Sequence, residues 1–157
     1  MSGVSDLPFR HAVKEQGAGL VFSEMLASKA IIHGNRRTKD KAEAVDGGLA
    51  VQLAGNEPDL MAEAARISAG RGARIIDINM GCPVKKITKG NGGAALMRDE
   101  VLAGRIIEAV VGAVDLPVTV KIRLGWDDKT RNAPKLAHMA QEAGVKMIAV
   151  HGRTRCQ

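Results

Sequence analysis

The stretch Arg74-Ile75-Ile76-Asp77-Ile78-Asn79-Met80-Gly81-Cys82-Pro83 decides the architecture of this chain. Side chains alternate across a strand, so Ile76, Ile78 and Met80 share one face while Asp77 and Asn79 share the other. The same division recurs in Pro117 to Leu124, where Val118, Val120 and Ile122 oppose Thr119, Lys121 and Arg123. It recurs again in Leu49 to Ala54, where Val51 and Leu53 oppose Gln52, and in Val145 to His151, where Ile148 and Val150 oppose His151. With Gly19 to Glu24 these runs make five predicted strands. Between them apolar residues recur at helical spacing: Leu60, Ala64 and Ile67; Leu102, Ile106 and Ala109; Leu136, Ala140 and Ala143. Asn56, Asp99 and Asn132 stand where N-caps belong, and Gly17 and Gly144 where helices stop in the left-handed conformation.

Strand and helix alternating at this spacing predict an α/β fold on a parallel sheet, either doubly wound or a (β/α)8 barrel. A doubly wound sheet carries helices on both faces and reads apolar on both. Here one side of each later strand is polar, which favours a TIM barrel whose polar lumen opens at the C-terminal mouth. Gln52, Asn79, Lys121, Arg123 and His151 would converge there. A barrel has eight strands. Five are present, so the expected fold is a partial barrel forming a single domain over residues 1–157.

Composition narrows the function classes. With 157 residues, 45% hydrophobic and 25% charged, the chain suits one ordinary domain rather than a disordered or fibrous one. The apolar run Ile106 to Val114 is broken by Glu108 and falls short of the ~20 residues of a membrane span. Asp6, Pro8 and Arg10 near the start are unlike a secretory leader, so the expected location is cytoplasmic. Cys82 and Cys156 lie outside any paired-ligand spacing, so no metal site or disulfide framework is expected. Lys plus Arg exceeds Asp plus Glu by 23 to 17, a net charge of +6 that suits a polyanionic partner such as RNA. Aromatic residues make up 2% with no Tyr, so a stacking platform for single strands is not expected.

Chemistry concentrates near the predicted mouth. Cys82 follows the strand ending at Asn79 and Met80, beyond the polar lumen. An ordinary thiol, with a pKa of ~8.5, is mostly protonated at neutral pH and can act as general acid or nucleophile; a loop cysteine with a packing role is the alternative. Lys121 and Arg123 are two cations on one face of a strand of Val and Ile. They call for a phosphate, an electron-rich cofactor, or ion pairs with Asp77 or Glu24. His151 stands at matching height on the last strand. Lys85 to Gly93 is a basic, glycine-rich loop whose backbone N–H groups and lysines either hold phosphate oxygens or are solvated. The basic run His33 to Lys41 reads as solvated surface, and His11 and His138 as helix surface. A lysine at mid-strand also admits Schiff-base chemistry.

Four ordered phrases resemble the flavin-dependent tRNA-dihydrouridine synthases, most closely the bacterial branch that includes the B-type enzymes. They are Ser2-Gly3-Val4-Ser5-Asp6-Leu7-Pro8-Phe9-Arg10, Asp77-Ile78-Asn79-Met80-Gly81-Cys82-Pro83, Val120-Lys121-Ile122-Arg123-Leu124-Gly125-Trp126 and His151-Gly152-Arg153-Thr154-Arg155. The resemblance covers almost the whole chain. It implies a (β/α)8 barrel holding FMN at its mouth and reducing the C5–C6 double bond of a tRNA uridine, with NADPH as reductant. It also implies that Cys82 is the catalytic proton donor, that Met1, Ser2, Gln52, Lys121 and His151 contact the flavin, and that Asn79 and Arg123 hold the uracil. The target base must leave its stack to enter such a pocket.

Set beside the family, the chain begins inside the first loop and stops after the sixth strand. The expectation is therefore strands 2 to 6 of the barrel, truncated at both ends, without the last strands, their phosphate loops or the helical tRNA-binding domain. An inactive fragment with residual RNA binding is the alternative reading.

Overall fold

The structure, a computed structural model, describes residues 3–34, 38, 41 and 48–157. Met1, Ser2 and part of the basic run from His33 to Lys41 lie outside the described residues. The strands are β1 (Val21–Phe22), β2 (Leu26–Ala27), β3 (Leu49–Ala54), β4 (Ile75–Asn79), β5 (Val118–Arg123) and β6 (Met147–His151). The helices whose bounds fall within the described residues are α1 (Leu7–Glu15), α2 (Ser28–Ile32), α3 (Pro58–Gly70), α4 (Lys85–Thr88), α5 (Glu100–Val111) and α6 (Ala133–Glu142), with a 3-10 helix at Gly93–Arg98.

Among the described residues every pairing between these strands is parallel, and the order along the sheet is β1-β3-β4-β5-β6, with β2 also pairing β3. Successive strands add on the same side, and the order never reverses as it does in a doubly wound sheet. The result is an open half-barrel, in agreement with the partial barrel expected from strand parity. The run expected as one strand from Gly19 to Glu24 is shorter, and Leu26 and Ala27 add a second brief pairing with Leu53 and Ala54.

The helix-facing stripe of the sheet makes the core. Leu53, Ile76 and Ile78 are fully buried, as are Met61, Ala64 and Ala65 of α3 and Ile106, Ile107 and Val110 of α5. The two helices pack side by side across it. Each fully buried aliphatic side chain contributes about 1.5–3 kcal/mol relative to exposure, so a few rows of them hold sheet and helices together.

Helix ends follow local chemistry with two exceptions. The Asp6 side chain accepts from Phe9 N at 3.0 Å and caps α1, and Asp99 accepts from Leu102 N at 2.9 Å and caps α5. Gly17 and Gly144 take φ of 90° and 96°, as the expected stops require. Asn56, however, does not cap α3: the helix begins one residue later, with Glu57 at the cap position and Pro58 supplying a preset φ. Asn132 occupies the cap position of α6, but its amide donates to Met97 O at 2.8 Å and Glu100 Oε1 at 2.7 Å. It thereby ties α6 to the start of α5 instead of satisfying its own helix.

Candidate active site

Parallel pairing turns the strand parity into rows. Gln52, Asp77, Thr119 and Met147 are in register across β3 to β6; Asn79, Lys121 and Ala149 form the next row, and Arg123 faces His151 at the top. Gln52, Asp77, Asn79, Lys121, Arg123 and His151 all line one cleft of about 1320 Å³ at the C-terminal end of the sheet, and Cys82 lines it as well. The residues expected to converge at the mouth are therefore brought together.

A directional hydrogen-bond chain organises the centre. Asp77 is only 3% exposed and accepts from Thr119 Oγ1 at 2.5 Å and from Gln52 Nε2 at 2.7 Å. A carboxylate can only accept, so it forces the Gln52 amide to point nitrogen inward and oxygen outward. That oxygen accepts from Asn79 Nδ2 at 2.9 Å, which in turn leaves Asn79 Oδ1 to accept from the backbone of Gly81 at 3.2 Å and Cys82 at 2.9 Å. Gln52 Nε2 and Asn79 Nδ2 each retain a second N–H for a ligand in the cleft. Burial pushes the Asp77 carboxyl above its ordinary pKa, while the Thr119 hydroxyl, the Gln52 amide and the Lys121 charge pull the other way.

Cys82 is half-buried at the rim, and its backbone is held on both sides. Its carbonyl accepts from Ala94 N at 2.9 Å, drawing the 3-10 helix against the loop. Gly93, at φ 58°, sits so close that a Cβ there would stand 2.7 Å from Cys82 O and 2.9 Å from Ile87 Cγ2. The basic loop folds as the one-turn α4 before this contact, with Lys86, Ile87, Gly90 and Gly92 on the cleft wall.

The two cations of β5 behave differently. Arg123 donates from Nε to Gly81 O at 2.6 Å and from Nη1 to Thr154 O at 3.0 Å, clamping the loops after β4 and β6. Its acceptors are backbone carbonyls, so the expected alternative of a carboxylate partner is not realised. Glu24 instead accepts from Gly3 N and pairs with Lys41 Nζ at 3.0 Å; the Gly3 contact leads in holding its pKa down. Lys121 makes no hydrogen bond or ion pair with a described residue, and its charge acts on Asp77 and His151. Arg123, then partial burial, Lys121 and Arg153 lower the His151 pKa from its ordinary value. These charges favour the neutral imidazole, which is able both to donate and to accept.

Asp77 as the hub and Thr119 as its anchor were not singled out by sequence reasoning, although the parity of both strands placed them on the polar face. Gly93 carried no signal beyond glycine richness. His11 and His138 lie exposed on helices, as expected. Among the described residues no group of His, Cys, Asp and Glu could hold a metal, and no helix is long and apolar enough to cross a membrane.

Comparison with known proteins adds an independent line. The family model for dihydrouridine synthase (Dus) matches residues 1–157. The chain is 58% identical to a probable tRNA-dihydrouridine synthase of Rickettsia conorii and 59% identical to one of Rhodobacter capsulatus, covering 100% of this chain and 48% and 49% of those proteins. It is 52% identical to the tRNA-dihydrouridine synthase B of Xanthomonas campestris, again over 100% of this chain and 48% of the relative. The chain thus spans about half the length of the curated relatives it matches. A match running from end to end, with more than half of the aligned positions identical, makes this chain a member of the dihydrouridine synthase family.

Proposed function

We propose that this chain is catalytic-domain sequence of a tRNA-dihydrouridine synthase, reducing uridine in tRNA to 5,6-dihydrouridine with FMN and NADPH. The observation that carries the reading is the shared cleft, in which a half-buried thiol, an unpaired ammonium, two oriented amides and a clamped guanidinium face one space. The cleft suits a flat, electron-rich ring. Met147 and Ala149 give it an apolar wall, and Lys121 offers a cation not neutralised by a direct ion pair.

FMN reduced by NADPH would supply the hydride taken up at C6 of the uracil. Gln52, Lys121 and His151 are assigned to hold the flavin, Gln52 through its second N–H and Lys121 through charge. Met1 and Ser2 are assigned to the same task on family resemblance. Asn79 Nδ2 and the remaining Arg123 Nη2 are assigned to the uracil edge, where they would accept only a base whose carbonyls face them. Cys82 Sγ–H gives its proton to C5, so the ring gains one hydride and one proton, and the thiolate recovers its proton from solvent. Positioned general acids of this kind contribute typically 10²–10⁴-fold. A tRNA substrate is compatible with a cytoplasmic location.

The test is a visible absorbance spectrum of the purified chain, with and without added FMN and after gel filtration, followed by assay of uridine reduction in unmodified tRNA. Retained flavin with dihydrouridine formation supports the reading. RNA binding with neither would favour a binding-only segment.

A further inference from the structure

Trp126 lies on the loop after β5, and two guanidiniums stack over its ring: Arg98 at 4.5 Å and Arg155 at 4.7 Å from the centroid. The three residues come from three different post-strand segments. Arg98 ends the 3-10 helix that follows β4, Trp126 follows β5, and Arg155 follows β6. Backbone bonds hold the last two segments in register: Leu124 N to Arg153 O at 3.1 Å, Arg155 N to Gly125 O at 3.0 Å and Cys156 N to Trp126 O at 3.1 Å. Gly125 lets its own loop close back on itself in a bridge with Arg131, because a Cβ there would meet Thr130 O at 2.2 Å.

Nearby carboxylates are already engaged. Asp99 caps α5, Glu100 pairs with Lys135 at 2.5 Å, and Asp128 pairs with Arg131 at 2.6 Å. Asp127 accepts from Lys129 N, Thr130 N and Thr130 Oγ1. The guanidiniums of Arg98 and Arg155 have no hydrogen bond or ion pair among the described residues, and Arg155 Nε is buried without a partner. With the ring beside them, the terminal Nη groups of both guanidiniums have no hydrogen-bond acceptor among the described residues. That is an arrangement for binding anionic oxygen, because guanidinium presents paired donors matched to phosphate.

We propose that Arg98 and Arg155, ordered by Trp126, form a docking site for a backbone phosphate of RNA beside the catalytic mouth. The proposal rests on the reading of the chain as an RNA-modifying protein and adds the surface that receives the strand. Two cations fixed on one ring would neutralise phosphate without ordering long side chains at the moment of binding.

Trp126 is the single tryptophan, and there is no tyrosine, so intrinsic emission reports this site alone. The test measures the Kd of a labelled RNA hairpin across a range of salt concentrations for the unmodified chain, Arg98→Gln, Arg155→Gln and Arg131→Gln, with thermal melts of each. Arg98→Gln and Arg155→Gln should each reduce the slope of log Kd against log salt by about 0.7–0.9, one released counterion apiece. Arg131→Gln, whose charge is already paired, should leave the slope unchanged. In the unmodified chain RNA should alter Trp126 emission with the midpoint seen by anisotropy, and salt should reverse the change.

RNA binding with unchanged slopes in the first two variants would overturn the docking site and leave the proposed reaction standing. Absence of RNA binding by the unmodified chain would remove the RNA reading and the site together. An emission change produced by inorganic phosphate or FMN but not by RNA would assign the pair to a free phosphate and overturn the proposal. If a Gln variant melts early, the emission titration of the unmodified chain decides, and no response to bound RNA overturns the site.

Discussion

The centre of the sheet and its β6 edge carry the same alternation and use it differently. In β4 and β5 the apolar set Ile76, Ile78, Val118, Val120 and Ile122 is buried beneath helices, and on the opposite face Asp77 and Thr119 are buried within their own hydrogen bonds. In β6 the same parity leaves Met147 48% and Val150 50% exposed, and the His151 side chain forms no hydrogen bond with a described residue. Alternation therefore fixes which face a side chain takes, while burial depends on what stands opposite. Central groups are oriented before any ligand arrives, whereas the edge groups take their character from nearby charge.

The sharpest way to break this contrast is at the centre's chemical end. Cys82→Ala should reduce uridine reduction by about 10²–10⁴-fold while flavin retention is unchanged. Full turnover in that variant would remove the proton-donor assignment. Packing tests the contrast next. Ile78→Ala should cost about 2–5 kcal/mol in denaturant melts, whereas Val150→Ala, half-exposed at the edge, should stay within about 0.5 kcal/mol. Equal losses would show that the edge is as tightly packed as the centre.

The polar side of the centre gives a smaller effect. Asp77→Leu removes the acceptor of two inward donors and should cost about 1–3 kcal/mol. Combined with Thr119→Val, the two losses should fall short of additivity by about 0.5–3 kcal/mol, because they share one hydrogen bond. Additive losses would show that Thr119 does not anchor Asp77.

The smallest effect is at His151. Its folded pKa lies below the ordinary imidazole value, so the folded state disfavours the protonated ring. Stability should therefore fall gently as pH drops from about 6.5 through that lowered pKa, as Arg123, Lys121 and Arg153 repel the new charge. His151→Gln should flatten melting temperature against pH in this window, and a slope that persists would locate the titrating group elsewhere. Asp77 acts with the opposite dependence: its raised pKa makes the folded state less favourable as pH rises through it.

Much of this was legible in the chain itself. Strand positions, their parity, the barrel-like order and the convergence of Gln52, Asn79, Lys121, Arg123 and His151 follow from periodicity, because alternation is a local property of extended backbone. The Asp6 cap of α1 came only with the structure, whereas capping was legible at Asp99, a short polar side chain with no competing partner. It was misleading at Asn132, whose amide finds Met97 and Glu100, far away in sequence but adjacent in space.

The sequence by itself determined the α/β class, the polar mouth, the cysteine at its rim and membership of the dihydrouridine synthase family. Only the tertiary structure decided that Asp77 orients two amides, that Arg123 clamps two loops through carbonyls, and that Arg98 and Arg155 meet over one indole. The physical reason is that period and propensity act over neighbouring residues. Hydrogen-bond direction, ion pairing and ring stacking are settled between residues that only folding brings together.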